Sequence, residues 1–85
     1  MFPENRVLFE RILSALIAAD CPPVPYLRDA KKFAKRHIDT LHRARERGDL
    51  FAFQDVETGW WSTTREGLAA YLAGVPYSMV IDEAA

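Results

Sequence analysis

Three prolines within four positions, Pro22, Pro23 and Pro25, set the first constraint on any fold this chain can adopt. Proline donates no backbone N–H and biases the residue before it toward extended geometry, so no helix runs through Asp20-Cys21-Pro22-Pro23-Val24-Pro25. What lies on either side must be separate elements joined by a stiff connector. Before the connector, over residues 4–19, the apolar positions Leu8, Phe9, Ile12, Leu13, Leu16 and Ile17 recur at i, i+1, i+4, i+5, i+8 and i+9. That spacing is one face of a helix, which has to be covered. Two coverings are open: folding back on the chain's own core, or a homodimer through this N-terminal helix.

After the connector, residues 26–47 are dominated by helix formers. Ala30, Phe33, Ala34, His37 or Ile38, Leu41 and Ala44 follow helical spacing, and Gly48 is placed to cap the C-terminus. The pattern fits one long helix, or two helices with a tight turn near Lys35-Arg36-His37. Residues 50–63 read as an antiparallel hairpin, in which Leu50-Phe51-Ala52-Phe53-Gln54 and Trp60-Trp61-Ser62-Thr63 are separated by Asp55-Val56-Glu57-Thr58-Gly59. A hairpin this short needs a helix over one face. A last helix over residues 64–73 starts either from a capping box of Thr63 and Glu66 or from Thr64 as cap. Leu68, Tyr71 and Leu72 are its expected buried stripe, and Gly74 and Pro76 close it. The tail, residues 77–85, includes Met79, Val80 and Ile81 and is open to adding a strand, docking on a partner or fraying. At 85 residues the chain fits a single α+β, mainly α, domain.

The formal net charge of −1 conceals a segregation along the chain. Residues 28–47 carry Arg28, Lys31, Lys32, Lys35, Arg36, Arg43, Arg45 and Arg47 against Asp29, Asp39 and Glu46. From residue 48 onward Arg65 alone stands against Asp49, Asp55, Glu57, Glu66, Asp82 and Glu83. The first of these segments is where a polyanion would be steered, while the overall balance argues against a purely electrostatic coat protein. Cys21 is the single cysteine, which excludes an internal disulfide framework and points to a reducing, cytoplasmic compartment. The most apolar run, residues 7–19, is broken by Glu10 and Arg11 and is shorter than the ~20 residues a membrane span requires, so no membrane association is expected.

Ile38-Asp39-Thr40-Leu41-His42-Arg43-Ala44-Arg45-Glu46-Arg47-Gly48-Asp49-Leu50 resembles the recognition helix and following Gly-x-Leu of excisionase-type and MerR-like DNA-binding domains. Trp61-Ser62-Thr63-Thr64-Arg65-Glu66-Gly67-Leu68-Ala69-Ala70-Tyr71-Leu72 is similar to their wing strand and last helix. The resemblance covers roughly residues 27–73 and implies a winged helix-turn-helix fold of three or four helices with a two-stranded wing. It further implies contact with double-stranded DNA by Lys32, Lys35, Arg36, Thr40, His42, Arg43 and Arg47, with Asp39 near the groove. Basic side chains would neutralise phosphates and polar ones read base edges. Two departures stand out: the corner Phe33-Ala34-Lys35-Arg36-His37 has no glycine, and the wing turn carries only negative charge, at Asp55 and Glu57.

Phe51, Phe53, Trp60 and Trp61 cannot all face one side of an alternating hairpin. They are expected either in the core or, in part, on a protein-binding patch for a larger partner. His37 and His42 are five apart and far from Cys21, which is no zinc pattern. No serine lies in a nucleophile motif and no glycine-rich phosphate loop follows a strand. The expectation is a protein without catalytic site, metal or cofactor. It is either a sequence-specific DNA-binding regulator or recombination accessory factor of the sort phages and mobile elements encode, or a protein-interaction module on the same scaffold.

Overall fold

The computed structural model describes residues 3–78 and residue 80. Four helices, α1 (Pro3–Ala18), α2 (Leu27–Ala34), α3 (Ile38–Arg47) and α4 (Arg65–Ala73), are accompanied by a two-stranded antiparallel sheet of β1 (Phe53–Gln54) and β2 (Trp61–Ser62). The register pairs Phe53 with Ser62 and Gln54 with Trp61. The architecture is therefore mainly helical with a small sheet.

Residues 26–47 form two helices. The corner needs a left-handed residue, and Lys35 takes that role at φ 56°. Its N–H and that of Arg36 both return to the Lys31 carbonyl, closing the end of α2. Asp20 does the same for α1 at φ 63°, with Cys21 N–H donating to Leu16 O at 3.0 Å. In both places a lysine or aspartate occupies a conformation that glycine adopts more easily. α3 begins at His37, whose Nδ1 accepts the Asp39 N–H at 3.1 Å. An unprotonated Nδ1 is needed for that bond, which rules out its also serving as the charged partner of the Asp39 carboxylate 3.6 Å away. Of the two expected starts for α4 the structure has Thr64, whose Oγ1 accepts the Gly67 N–H at 2.9 Å. Thr63 is wholly buried instead, and its hydroxyl donates to Phe51 O at 2.6 Å.

One buried cluster draws on every helix: Phe9 and Leu16 of α1, Leu27, Ala30 and Ala34 of α2, Leu41 and Ala44 of α3, and Leu68, Ala69, Ala70 and Ala73 of α4. Leu50, Cys21, Val75 and Val80 complete it. α1 packs mainly on α4. Because one helix covers only one stripe, Leu8 and Ile17, expected within the buried face, stand at the edges 44% and 49% exposed. On α4 Leu68 is buried as expected, together with Ala69, Ala70 and Ala73, while Tyr71 and Leu72 are only half-buried. The small alanine side chains let the neighbouring backbones approach, which leaves Tyr71 and Leu72 on the flanks.

The strands are shorter than the predicted hairpin, because its ends are recruited elsewhere. Thr63 N–H donates to Pro25 O at 3.0 Å, Arg65 N–H to Pro23 O at 3.0 Å, and Tyr26 bridges to Ser62. The proline connector thus lies beside β2, on the side away from β1. Tyr77, Ser78 and Val80 are helical, so the described start of the tail forms no strand. Met79, Ile81 and the acidic pair Asp82 and Glu83 lie outside the described residues.

Candidate functional site

α3 turns its buried stripe, Leu41 and Ala44, toward the core. At 100° per residue the opposite side carries Asp39, His42, Arg43 and Glu46. Asp39, Arg43 and Glu46 are exposed and His42 is half-buried. The outward face therefore mixes charge signs, and the bulk of the positive charge sits around it: Lys31 and Lys32 on α2, Lys35 and Arg36 in the corner, Arg47 at the far end.

The basic side chains differ in what already occupies them. Arg47 Nε donates to Asp49 Oδ2 at 3.0 Å, and Lys32 Nζ lies 5.0 Å from the Phe33 ring centroid. Arg36 Nη1 reaches only carbonyls of its own turn, Ala34 O and Lys35 O, each at 3.4 Å. Among the described residues, Lys31, Lys35 and Arg43 take part in no ion pair. Of the residues read from the sequence as DNA-contacting, Lys32, Lys35, Arg36, Arg43 and Arg47 are exposed on or beside the α2–α3 unit, and Thr40 and His42 are half-buried.

A second feature opens between this unit and the hairpin. Tyr26, Leu27, Arg28, Ile38, His42, Trp60 and Trp61 line a cleft of about 360 Å³. Two guanidinium–indole stacks border it. Arg28 lies 4.2 Å over the Trp60 ring, and Arg45 3.8 Å over Trp61. Tyr26 meets Trp60 edge to face at 5.1 Å. Arg45 Nε also donates to His42 Nδ1 at 3.2 Å, so a neutral His42 carries its proton on Nε2. Such stacks desolvate one side of the cation without removing its charge. Arg28 also lies 3.8 Å from Asp29 Oδ1, and the mostly buried Arg45 lies 3.6 Å from Glu46 Oε1, so Arg28 is the exposed cation at this apolar cleft. The sequence reading did not include Arg28, Tyr26, Ile38 or Arg45 in a site. Ile38, His42 and Arg45 are spaced i, i+4 and i+7, a stripe that helical periodicity alone identifies.

The four aromatics separate. Trp61 is half-buried against the core, whereas Phe51, Phe53 and Trp60 are exposed, at 36%, 41% and 45%. Phe51 stacks on Tyr77 with centroids 4.3 Å apart. Cys21 is buried, and desolvation raises its thiol pKa above the ordinary value, with Arg65 opposing and Glu66 adding to that shift. Among the described residues, no group of three or more His, Cys, Asp and Glu side chains is placed to hold a metal ion, and no helix is long and apolar enough to cross a membrane. No protein-family model, no curated protein and no solved structure matches this chain.

Proposed function

We propose that this is a small cytoplasmic DNA-binding protein of winged helix-turn-helix build, with α2 and α3 as the bihelical unit, α3 as the recognition helix and the β1–β2 hairpin as a short wing. The observation that carries this reading is the set of exposed cations along the corner and the outer side of α3. Among the described residues, Lys35, Arg36 and Arg43 have no carboxylate partner to give up on binding. Phosphates of a duplex are what such side chains neutralise, releasing counterions as they do so. Within the groove Arg43 offers a fork of donors to guanine, His42 a single N–H donor, and Asp39 an acceptor for a cytosine amino group. The acidic turn at Asp55 and Glu57 is repelled by the backbone, so the hairpin braces α3 and does not enter the minor groove. The role follows as occupation of a site by a transcriptional regulator or a recombination accessory factor, which can also recruit a larger protein.

The test is selection of bound sequences from a pool of random duplex DNA at moderate salt, with the Arg36→Ala, Arg43→Ala double variant as control. A motif enriched by the parent and lost in the variant is the expected result. Flat retention at every salt tested, down to low ionic strength, overturns the reading. A protein-interaction module is then the better account, and the exposed Phe51, Phe53 and Trp60 are the observation that favours it.

A further inference from the structure

The hairpin turn presents one side chain with unusual completeness: Val56 is 100% exposed. The turn around it is held by its own hydrogen bonds. Asp55 Oδ1 accepts from Glu57 N–H at 2.7 Å and Thr58 N–H at 3.2 Å, and Asp55 O accepts from Gly59 N–H at 2.8 Å. Gln54 Nε2 donates to Gly59 O at 2.9 Å. A valine flanked by two carboxylates is thus offered on a turn that has little conformational freedom left to lose on binding. A lone exposed apolar residue is ordinary on a protein surface. What distinguishes this one is the match elsewhere on the same molecule.

The cleft between α2, α3 and the hairpin complements that tip in an apolar floor and an exposed cation. Its floor is apolar, from Leu27, Ile38 and the two tryptophans, and the cation that lines it is Arg28, 62% exposed and 3.8 Å from Asp29 Oδ1. Its volume of about 360 Å³ lies at the small end of the range for ligand sites. That is room for a valine side chain and part of its turn. The Val56 side chain does not reach the cleft of its own chain, because its full exposure leaves it in contact with nothing. We propose that the chain associates with a second copy of itself by seating the Asp55-Val56-Glu57 tip of one molecule in the Arg28–Trp60 cleft of another. Val56 enters the floor, and the carboxylates of Asp55 and Glu57 meet the guanidinium group of Arg28 in place of its neighbour Asp29. Lys35, Arg36 and Arg43 lie outside the cleft lining, and His42 alone is shared with the DNA reading, so the Arg36 and Arg43 variants test DNA binding without altering this contact.

One valine and a few screened charges make a weak contact, suited to NMR. Spectra of the full chain labelled with ¹⁵N and methyl-¹³C, recorded from about 20 μM to about 1 mM, cover the range of dissociation constants such an interface reaches. The expected result is concentration-dependent movement of the Trp60 and Trp61 indole N–H signals together with the Val56 methyls, diminished by added salt. Val56→Lys, at a fully exposed position, leaves the fold intact and reduces the association at least about tenfold. Arg28→Glu does the same from the cleft side. Labelled Val56→Lys mixed with unlabelled Arg28→Glu regains the indole shifts, because each supplies the half the other lacks. Shifts absent throughout, shifts indifferent to Val56→Lys, or indole shifts that appear only on adding duplex DNA each overturn the proposal.

Discussion

At Gly67 the absence of a side chain is what lets the start of α4 form. A Cβ built there would lie 2.9 Å from Thr64 Oγ1, 3.2 Å from Thr63 Oγ1 and 3.3 Å from Phe51 Cβ. The first of those atoms is the cap acceptor for the Gly67 N–H, and the second is the buried hydroxyl bonded to Phe51 O. Alanine is the better helix former by about 1 kcal/mol, yet the crowding of two hydrogen-bonded hydroxyls costs more than that. Gly67→Ala is expected to lower the unfolding free energy by roughly 1–2 kcal/mol in urea titrations. A stabilised variant would show that the cap region yields freely. Such a constraint is only half visible in a sequence. Thr64 and its spacing to Gly67 can be read as a cap, but the approach of Phe51 comes from sixteen positions upstream. The corner of the α2–α3 unit was hidden for another reason. Sequence rules look for glycine where φ is positive, and Lys35 fills that role at φ 56° without one.

Among the elements, α1 has the plainest division between what is buried and what is not. Leu16 is 4% exposed and Ile17, one residue on, is 49% exposed. Leu16→Ala opens a cavity under α4 and is expected to cost about 2–4 kcal/mol, while Ile17→Ala costs less than about 1 kcal/mol. Parallel denaturation curves for the two variants check this, and equal losses would mean that α1 is covered on its outer side as well, as in a dimer. The helical segments were legible where period and punctuation agree, with prolines after α1, Gly48 after α3 and Gly74 after α4, whereas the pattern leaves open the division of residues 26–47 into α2 and α3. The hairpin was legible in position but not in extent. Whether Thr63 extends β2 or turns inward depends on the proline connector lying alongside it, a pairing across some forty residues that no local pattern encodes. The same holds for the site. Exposed Lys35, Arg36 and Arg43 follow from helical spacing, whereas Arg28 and Arg45 acquire their positions only when the tryptophans of the hairpin arrive beneath them.

For the molecule as a whole, the segregation of charge outweighs the net value. Residues 28–47 hold eight basic side chains against three acidic ones, and a near-neutral total means that no broad field draws the protein to nucleic acid. Affinity for duplex, on the proposed reading, then comes from a handful of contacts at one end. Neutralising about four phosphates gives a plot of log K against log salt with slope roughly −3 to −4. Arg36→Ala and Arg43→Ala each flatten it by about 1. Fluorescence anisotropy across a salt series measures the slope, and a value near zero would contradict binding through these side chains.

The connector alongside β2 has one more effect. Pro25 and Pro23 supply carbonyls to Thr63 and Arg65 on their inner side, and like Pro22 they have no N–H to offer outward. The flank of the sheet that would otherwise present a bare row of donors and acceptors is therefore chemically blunt. A stray strand from a crowded or partly unfolded neighbour finds few donors there to extend, and the two-residue edge at Phe53 and Gln54 is the more open foothold for cross-β growth.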